Sequence, residues 1–300
     1  MVRLALLAAL VAVPAFAQYN QLAGKSAPPA TVTQEVERRD VHGDRHVELE
    51  QVPVPRDSHG NAAGASYDLA ADGAFDGQTV LVIDLYQQPF DHAVAALKEK
   101  GFSVVRLLGV PTPQKLKELL AKSNQFWILA SCDDRVHLTK EHHAVIRSFF
   151  DAGHGIYLWG DNDPCNADAD ALASALVDAR VKGDLPGDQT VGLSKGPGQP
   201  GVVADHLLTT GVEYVYEGVT VATVRPAGAM TPIIYGSAGN LVAAAFEKDG
   251  KRLIVDGGYT RLDYKWDTAG TGRYVKNAAA WLANYERFGQ AVVADRFKKR

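Results

Sequence analysis

Four short apolar runs, each followed by a stretch of helical period, leave few folds open to this chain. Residues 79–84, 102–108, 126–130 and 155–159 have strand length. The first, Thr79-Val-Leu-Val-Ile-Asp84, is apolar without alternation, as a strand covered on both faces must be. Residues 90–100 follow with Ala93, Val94 and Leu97 on one side, and Gly101 is placed to stop that helix at its C′ position. Residues 114–122 carry Leu116, Leu119 and Leu120 on one face. Thr139 is an N-cap candidate for residues 140–152, whose stripe is Val145, Ile146, Phe149 and Phe150. A further helix is expected over residues 167–177. Strand–helix alternation at this spacing implies a parallel sheet with right-handed crossovers, an α/β fold of flavodoxin-like type.

The second half changes character. Residues 212–224 hold two strand-like runs around Glu217 and Gly218, and residues 233–235 form another. Residues 241–247 and 252–256 flank Asp249-Gly250, a hairpin signal, so antiparallel strands are added to the sheet. A last helix is expected over residues 274–285, with Val275, Ala278, Trp281 and Leu282 inward. Residues 76–288 therefore form one domain. Before it, residues 18–75 are rich in Pro, Gly and Ala and show no helical period. They are expected to be a flexible arm with at most one short strand around Val47, Leu49, Val52 and Val54. Residues 289–300 form a basic tail.

Residues 1–17 have the build of an export signal: Arg3, an apolar stretch of about ten residues, then Ala15-Phe-Ala17 as cleavage site. The stretch is too short to span a bilayer. A periplasmic or extracellular protein cleaved after Ala17, with no membrane span afterwards, is the expectation. The net charge of −4 gives no pull toward nucleic acid. The two cysteines, Cys132 and Cys165, exclude a four-cysteine zinc module. They follow consecutive strands, which usually lie side by side, so a disulfide closing a loop of about 34 residues is expected in an oxidising compartment.

Open parallel sheets bind ligands beyond the carboxyl ends of their strands. Three loops lie there, and they supply Asp84, then Asp133 and Asp134, then Asp161, Asn162 and Asp163 as candidate cleft residues. Asp161 and Asp163 are hard ligands of the type calcium or magnesium takes, although turn and cap roles suit the same residues. No other cofactor is indicated. A nucleophilic thiol is not expected, because the turn after the fourth strand, Trp159-Gly-Asp-Asn162, holds no cysteine. His137, His142 and His143 are expected to face solvent near a helix start, and His206 to cap a turn. The loop after the last strand contributes Tyr259 and Trp266, flat surfaces suited to a sugar or peptide.

These segments resemble the class I glutamine amidotransferase-like superfamily, in the branch of trehalose-utilisation (ThuA-like) proteins. The resemblance rests on the Thr139-capped helix, on Gly155-Ile-Tyr-Leu-Trp-Gly-Asp161, on Asp205-His-Leu-Leu-Thr-Thr-Gly211 and on Arg252-Leu-Ile-Val-Asp-Gly-Gly258. It spans residues 79–285, with Leu207 where the branch has proline. It implies the fold and a ligand cleft at the turn after the fourth strand. The family's Cys–His–Glu triad has no counterpart here, so the expected function is non-catalytic binding of a carbohydrate or of an envelope partner. The alternative is a hydrolase using the Asp residues, with or without a divalent metal.

Overall fold

The computed structural model describes residues 31–64, 67–266 and 268–298. The expected export signal, residues 1–17, lies outside them. Two strands open the chain, β1 (Thr31–Arg39) and β2 (Arg45–Pro53). The α/β block follows: β3 (Thr79–Asp84), α1 (Asp91–Glu99), β4 (Ser103–Leu108), α2 (Pro113–Leu120), β5 (Gln125–Leu129), α3 (Lys140–Asp151), β6 (Gly155–Trp159) and α4 (Ala167–Val177). Then come β7 (Arg180–Pro186), β8 (Thr190–Val191), β9 (Gly201–Val202), β10 (Val215–Tyr216), β11 (Thr220–Arg225) and β12 (Met230–Tyr235). The hairpin β13 (Leu241–Lys248) and β14 (Lys251–Asp256) leads to α5 (Thr271–Leu282) and the short α6 (Tyr285–Phe288).

Eight strands make one sheet in the order β4-β3-β5-β6-β14-β13-β12-β9. The first five are mutually parallel, in flavodoxin-like order, and the last three are added antiparallel. The expected fold class is what the chain adopts. Asp249 and Gly250 both have positive φ, as a two-residue turn between β13 and β14 requires. Gly101 ends α1 at φ +97°, and a Cβ there would lie 2.6 Å from the backbone nitrogen of Asp76.

The period-two alternation of the strands sorts the core into two layers. Val80, Val82, Trp127, Leu129, Tyr157 and Trp159 face α1 and α5. Leu81, Ile83, Phe126, Ile128, Ile156 and Leu158 face α2, α3 and α4. The last long helix starts and ends three residues earlier than its apolar stripe suggests. Gly270 is its N-cap, and Asn284 beyond its end is left-handed.

The segment before β3 departs most from expectation. β1 and β2 pair over nine residues into an antiparallel ribbon, where the sequence suggests a single strand. Val47 and Leu49 stay exposed on it. Residues 67–75 are not a loose arm. Leu69, Ala70, Ala74 and Phe75 are buried in the layer beside α1 and α5. Asp68 and Asp72 hold the ammonium of Lys100 at 2.8 and 2.7 Å, and Ala70 O accepts from it at 2.8 Å. Hydrophobic period alone does not reveal a segment anchored by buried charge. The chain's end also packs back: Val292, Val293 and Ala294 are buried, and Ala294 N donates to Ala74 O.

Cys132 and Cys165 form the expected disulfide, 33 residues apart in sequence. Among the described residues no helix is long and apolar enough to cross a membrane. Closing that loop should contribute a few kcal/mol to stability. Urea unfolding with and without reductant, and of Cys132→Ser, should show both treatments lowering the midpoint; coincident curves would mean that the bridge constrains nothing.

Candidate functional site

The carboxyl ends of β3, β5, β6 and β14 meet at one rim of the sheet. Most of the carboxylates gathered there already have partners. Asp84, fully buried, takes Arg106 through Nε at 2.9 Å and through Nη2, and accepts from Gln87 N at 2.8 Å. Asp133 holds the Arg135 backbone N–H and guanidinium at 2.9 and 2.8 Å, which lowers its pKa. Asp134 is exposed. Asp163 is exposed and accepts from Asn166 Nδ2 at 2.6 Å. Asn162 accepts from Thr220 Oγ1 at 2.8 Å, which ties the β6 loop to β11. Asp168 accepts from the backbone N–H groups of His137 and Leu138, at 2.7 and 3.2 Å. Asp170 clamps Arg180 through two hydrogen bonds of 2.8 and 2.7 Å.

Asp161 is different. It is fully buried at the turn after β6, and neither carboxylate oxygen has a hydrogen-bond partner of good geometry among the described residues. Its backbone is fixed: its N–H donates to Cys165 O, and Asn166 Nδ2 donates to its carbonyl. Burial pushes its pKa up to about 7, against the smaller opposing pull of the nearby Asn162 N–H, Arg261 and the Tyr86 hydroxyl. Tyr86, on the loop after β3, has its own pKa pushed up to about 12 by burial and by facing Asp161. Its ring packs on Tyr259 with centroids 4.5 Å apart. Tyr259 N donates to Gly160 O, and the Tyr259 hydroxyl is a second buried polar group without a partner among the described residues.

Beneath this trio sits a buried ion pair. Asp256, the last residue of β14, receives Arg261 Nη1 on Oδ2 and Gly258 N on Oδ1 at 2.9 Å. The hydroxyls of Tyr157 and Tyr274 both reach Asp256 Oδ2 at 3.2 Å. Arg261 also donates to Tyr216 O and Glu217 O.

The structure therefore brings Asp161, Tyr86 and Tyr259 together, with Asp84 close enough to raise the Tyr259 pKa further. It does not bring in Asp133 and Asp163, which make other contacts, or Asp134, which is exposed. Trp266 lies apart, in a cavity of about 370 Å³ between α1 and the start of α5. Tyr86 gave no signal in sequence beyond its place after a strand. Asp161 and Asp163, the candidate metal pair, differ in burial. The three-carboxylate group found among the described residues is Asp68, Asp72 and Glu99, and it holds Lys100 and Lys276.

The histidines correct the expectation of a solvent-facing group. His142 is buried, its Nδ1 accepts from Thr139 N at 3.1 Å, and its Nε2 reaches Pro111 O at 2.8 Å, so it closes the start of α3. His137 sits on Asp168 at 3.1 Å, and burial lowers the pKa of His143. His206 caps the turn at residues 207–209 through Leu208 N, as expected.

No protein-family model matches the sequence, and no curated protein does. Solved structures similar to the chain include a ThuA-like protein from Bacteroides uniformis, 13% identical over 69% of this chain and 91% of its own, with a TM-score of 0.47. A GMP synthase component from Thermoplasma acidophilum is 12% identical, over 71% and 98%, with a TM-score of 0.43. A carbohydrate deacetylase is 14% identical over 70% of this chain and 32% of its own, at 0.44. These are likenesses of fold alone.

A carboxylate whose pKa is raised on folding binds a proton more tightly in the native state. Its stabilisation is present at low pH and is lost as pH rises from the ordinary carboxylate value of 3.8 toward about 7. The unfolding free energy of wild type relative to Asp161→Asn should therefore fall over that window, on the order of a few kcal/mol in total. Denaturant melts of both proteins between those pH values check it; parallel curves would place the Asp161 pKa in the ordinary range.

Proposed function

We propose that the protein is an exported binding protein that takes a polyhydroxylated, carbohydrate-class ligand at the turn after β6. Asp161 is its central contact. The observation that carries this is a fully buried carboxylate with no hydrogen bond of good geometry among the described residues, faced by the Tyr86 hydroxyl and the Asn162 N–H alone. A buried polar group is normally paired, and an unpaired one costs one to several kcal/mol, roughly. Sugar hydroxyls supply the missing donors. Tyr86 and Tyr259 offer flat apolar area beside them and a second unpaired hydroxyl. Tyr86, half-buried on its loop, lies over Asp161 and would have to swing aside for a ligand to enter. The disulfide and the signal-like residues 1–17 support export to an oxidising compartment.

A second reading shares the residue. A carboxyl group with a pKa of about 7 is poised for general acid–base work near neutral pH, which favours a hydrolase that activates water at the same turn.

One screen separates the two. Thermal shifts and product assays against neutral mono- and oligosaccharides should show saturable stabilisation of wild type without turnover, reduced at least about tenfold in apparent affinity by Asp161→Asn. Product formed by wild type and abolished in Asp161→Asn would replace binding with hydrolysis. Stabilisation undiminished in the variant would remove Asp161 from the site.

A further inference from the structure

The cavity between α1 and the start of α5 has a chemistry of its own. α5 is twelve residues long and has Gly270 as its N-cap, whose lack of a side chain leaves the N-cap position without a side-chain hydrogen bond. Among the described residues the N–H groups of residues 271–273 have no acceptor outside the helix, and they stand at the positive end of the helix dipole. Glycine is needed there because a Cβ on Gly270 would stand 2.6 Å from Tyr214 O. Gly272 likewise leaves the helix surface bare beneath the Trp266 indole.

A second observation is independent of the helix. Asn61 lines the same cavity and is 1% exposed. Its Oδ1 accepts the N–H groups of Glu213 and Tyr214 at 2.7 and 2.8 Å, which fixes the amide's orientation. Its Nδ2 has no acceptor among the described residues and lies 3.4 Å from where a Gly270 Cβ would stand. A fixed, unpaired donor beside an uncapped helix start calls for an anionic acceptor. The acidic side chains on the cavity wall are already engaged: Asp57 accepts from His59 N and Asn61 N, and Glu99 pairs with Lys276. Above the helix start, the Trp266 and His92 rings stack with centroids 5.7 Å apart and present their edges to the cavity they both line.

We propose that this cavity is a second ligand site, separate from Asp161, that takes a small ring compound bearing one carboxylate. The chemical class is a hexuronic acid. Its carboxylate would sit at the α5 N-terminus on Asn61 Nδ2, and its ring against the edge of the Trp266–His92 stack.

Trp127, Trp159 and Trp281 are buried, so Trp266 is the indole a ligand there would touch. D-Glucuronate, added to the intact protein, should change the tryptophan fluorescence saturably, and glucose should not. Trp266→Phe should abolish the change. Asn61→Asp keeps the acceptor for Glu213 N and Tyr214 N and turns the donor into a negative oxygen; it should weaken glucuronate at least about tenfold. Asp161→Asn should leave the titration as in wild type. A titration without saturation, an equal response to glucose, or glucuronate affinity retained in Asn61→Asp would each overturn the proposal. If Asn61→Asp fails to fold, Gly272→Asp carries the same test, with a carboxylate placed in the first turn itself.

Discussion

The rim at the carboxyl ends of the parallel strands is organised by the Asp256–Arg261 pair. Both residues are completely buried, and an ion pair taken out of water holds only if its remaining hydrogen-bonding capacity is also met. Here each remaining position is filled from a different part of the chain. Tyr157 comes from β6, Tyr274 from α5, and the carbonyls of Tyr216 and Glu217 from the end of β10. Gly258 N closes the other carboxylate oxygen. The pair thus clamps the last parallel strand, the final helix and the inserted β-strands to one point. Tyr259, two residues from Arg261, is positioned by that clamp, and Tyr86 packs on Tyr259.

Against this satisfied network, Asp161 stands out by contrast. The β6 loop is rich in carboxylates, and nearly all serve structure. Asp168 caps the backbone of the neighbouring loop, Asp170 fixes the entry to β7, and Asp163 holds Asn166. The disulfide joins the same two loops covalently. A turn so thoroughly tied down can hold an unsatisfied buried carboxylate in place, because few backbone motions remain by which it could reach solvent.

Much of this was legible in the sequence. Continuous apolar runs such as residues 79–84 and 155–159 mark doubly covered strands, and Asp249-Gly250 marks its hairpin, because both signals are local. The pairing of Cys132 with Cys165 followed from the adjacency of consecutive βα units. Other features depend on contacts distant in sequence. His142 looks like a surface histidine until Pro111 O is brought to its Nε2. Trp266 and Asp161 lie beyond the ends of neighbouring strands, yet the path of the chain after Tyr259 carries Trp266 away to α1. Among six clustered acidic or amide residues, only the fold tells which one is buried without a hydrogen bond of good geometry.

Lys100 carries a consequence for where the folding unit starts. Its ammonium is wholly buried at the end of α1, and both carboxylates that neutralise it come from residues 68–72. Those residues precede the first strand of the sheet, in what composition alone marks as linker. A chain trimmed to begin at β3 would retain every strand and helix of the α/β block and leave Lys100 without either carboxylate or the Ala70 carbonyl that now hold it. The packed unit therefore reaches upstream to at least Asp68, where buried charge and not a strand or helix marks its edge.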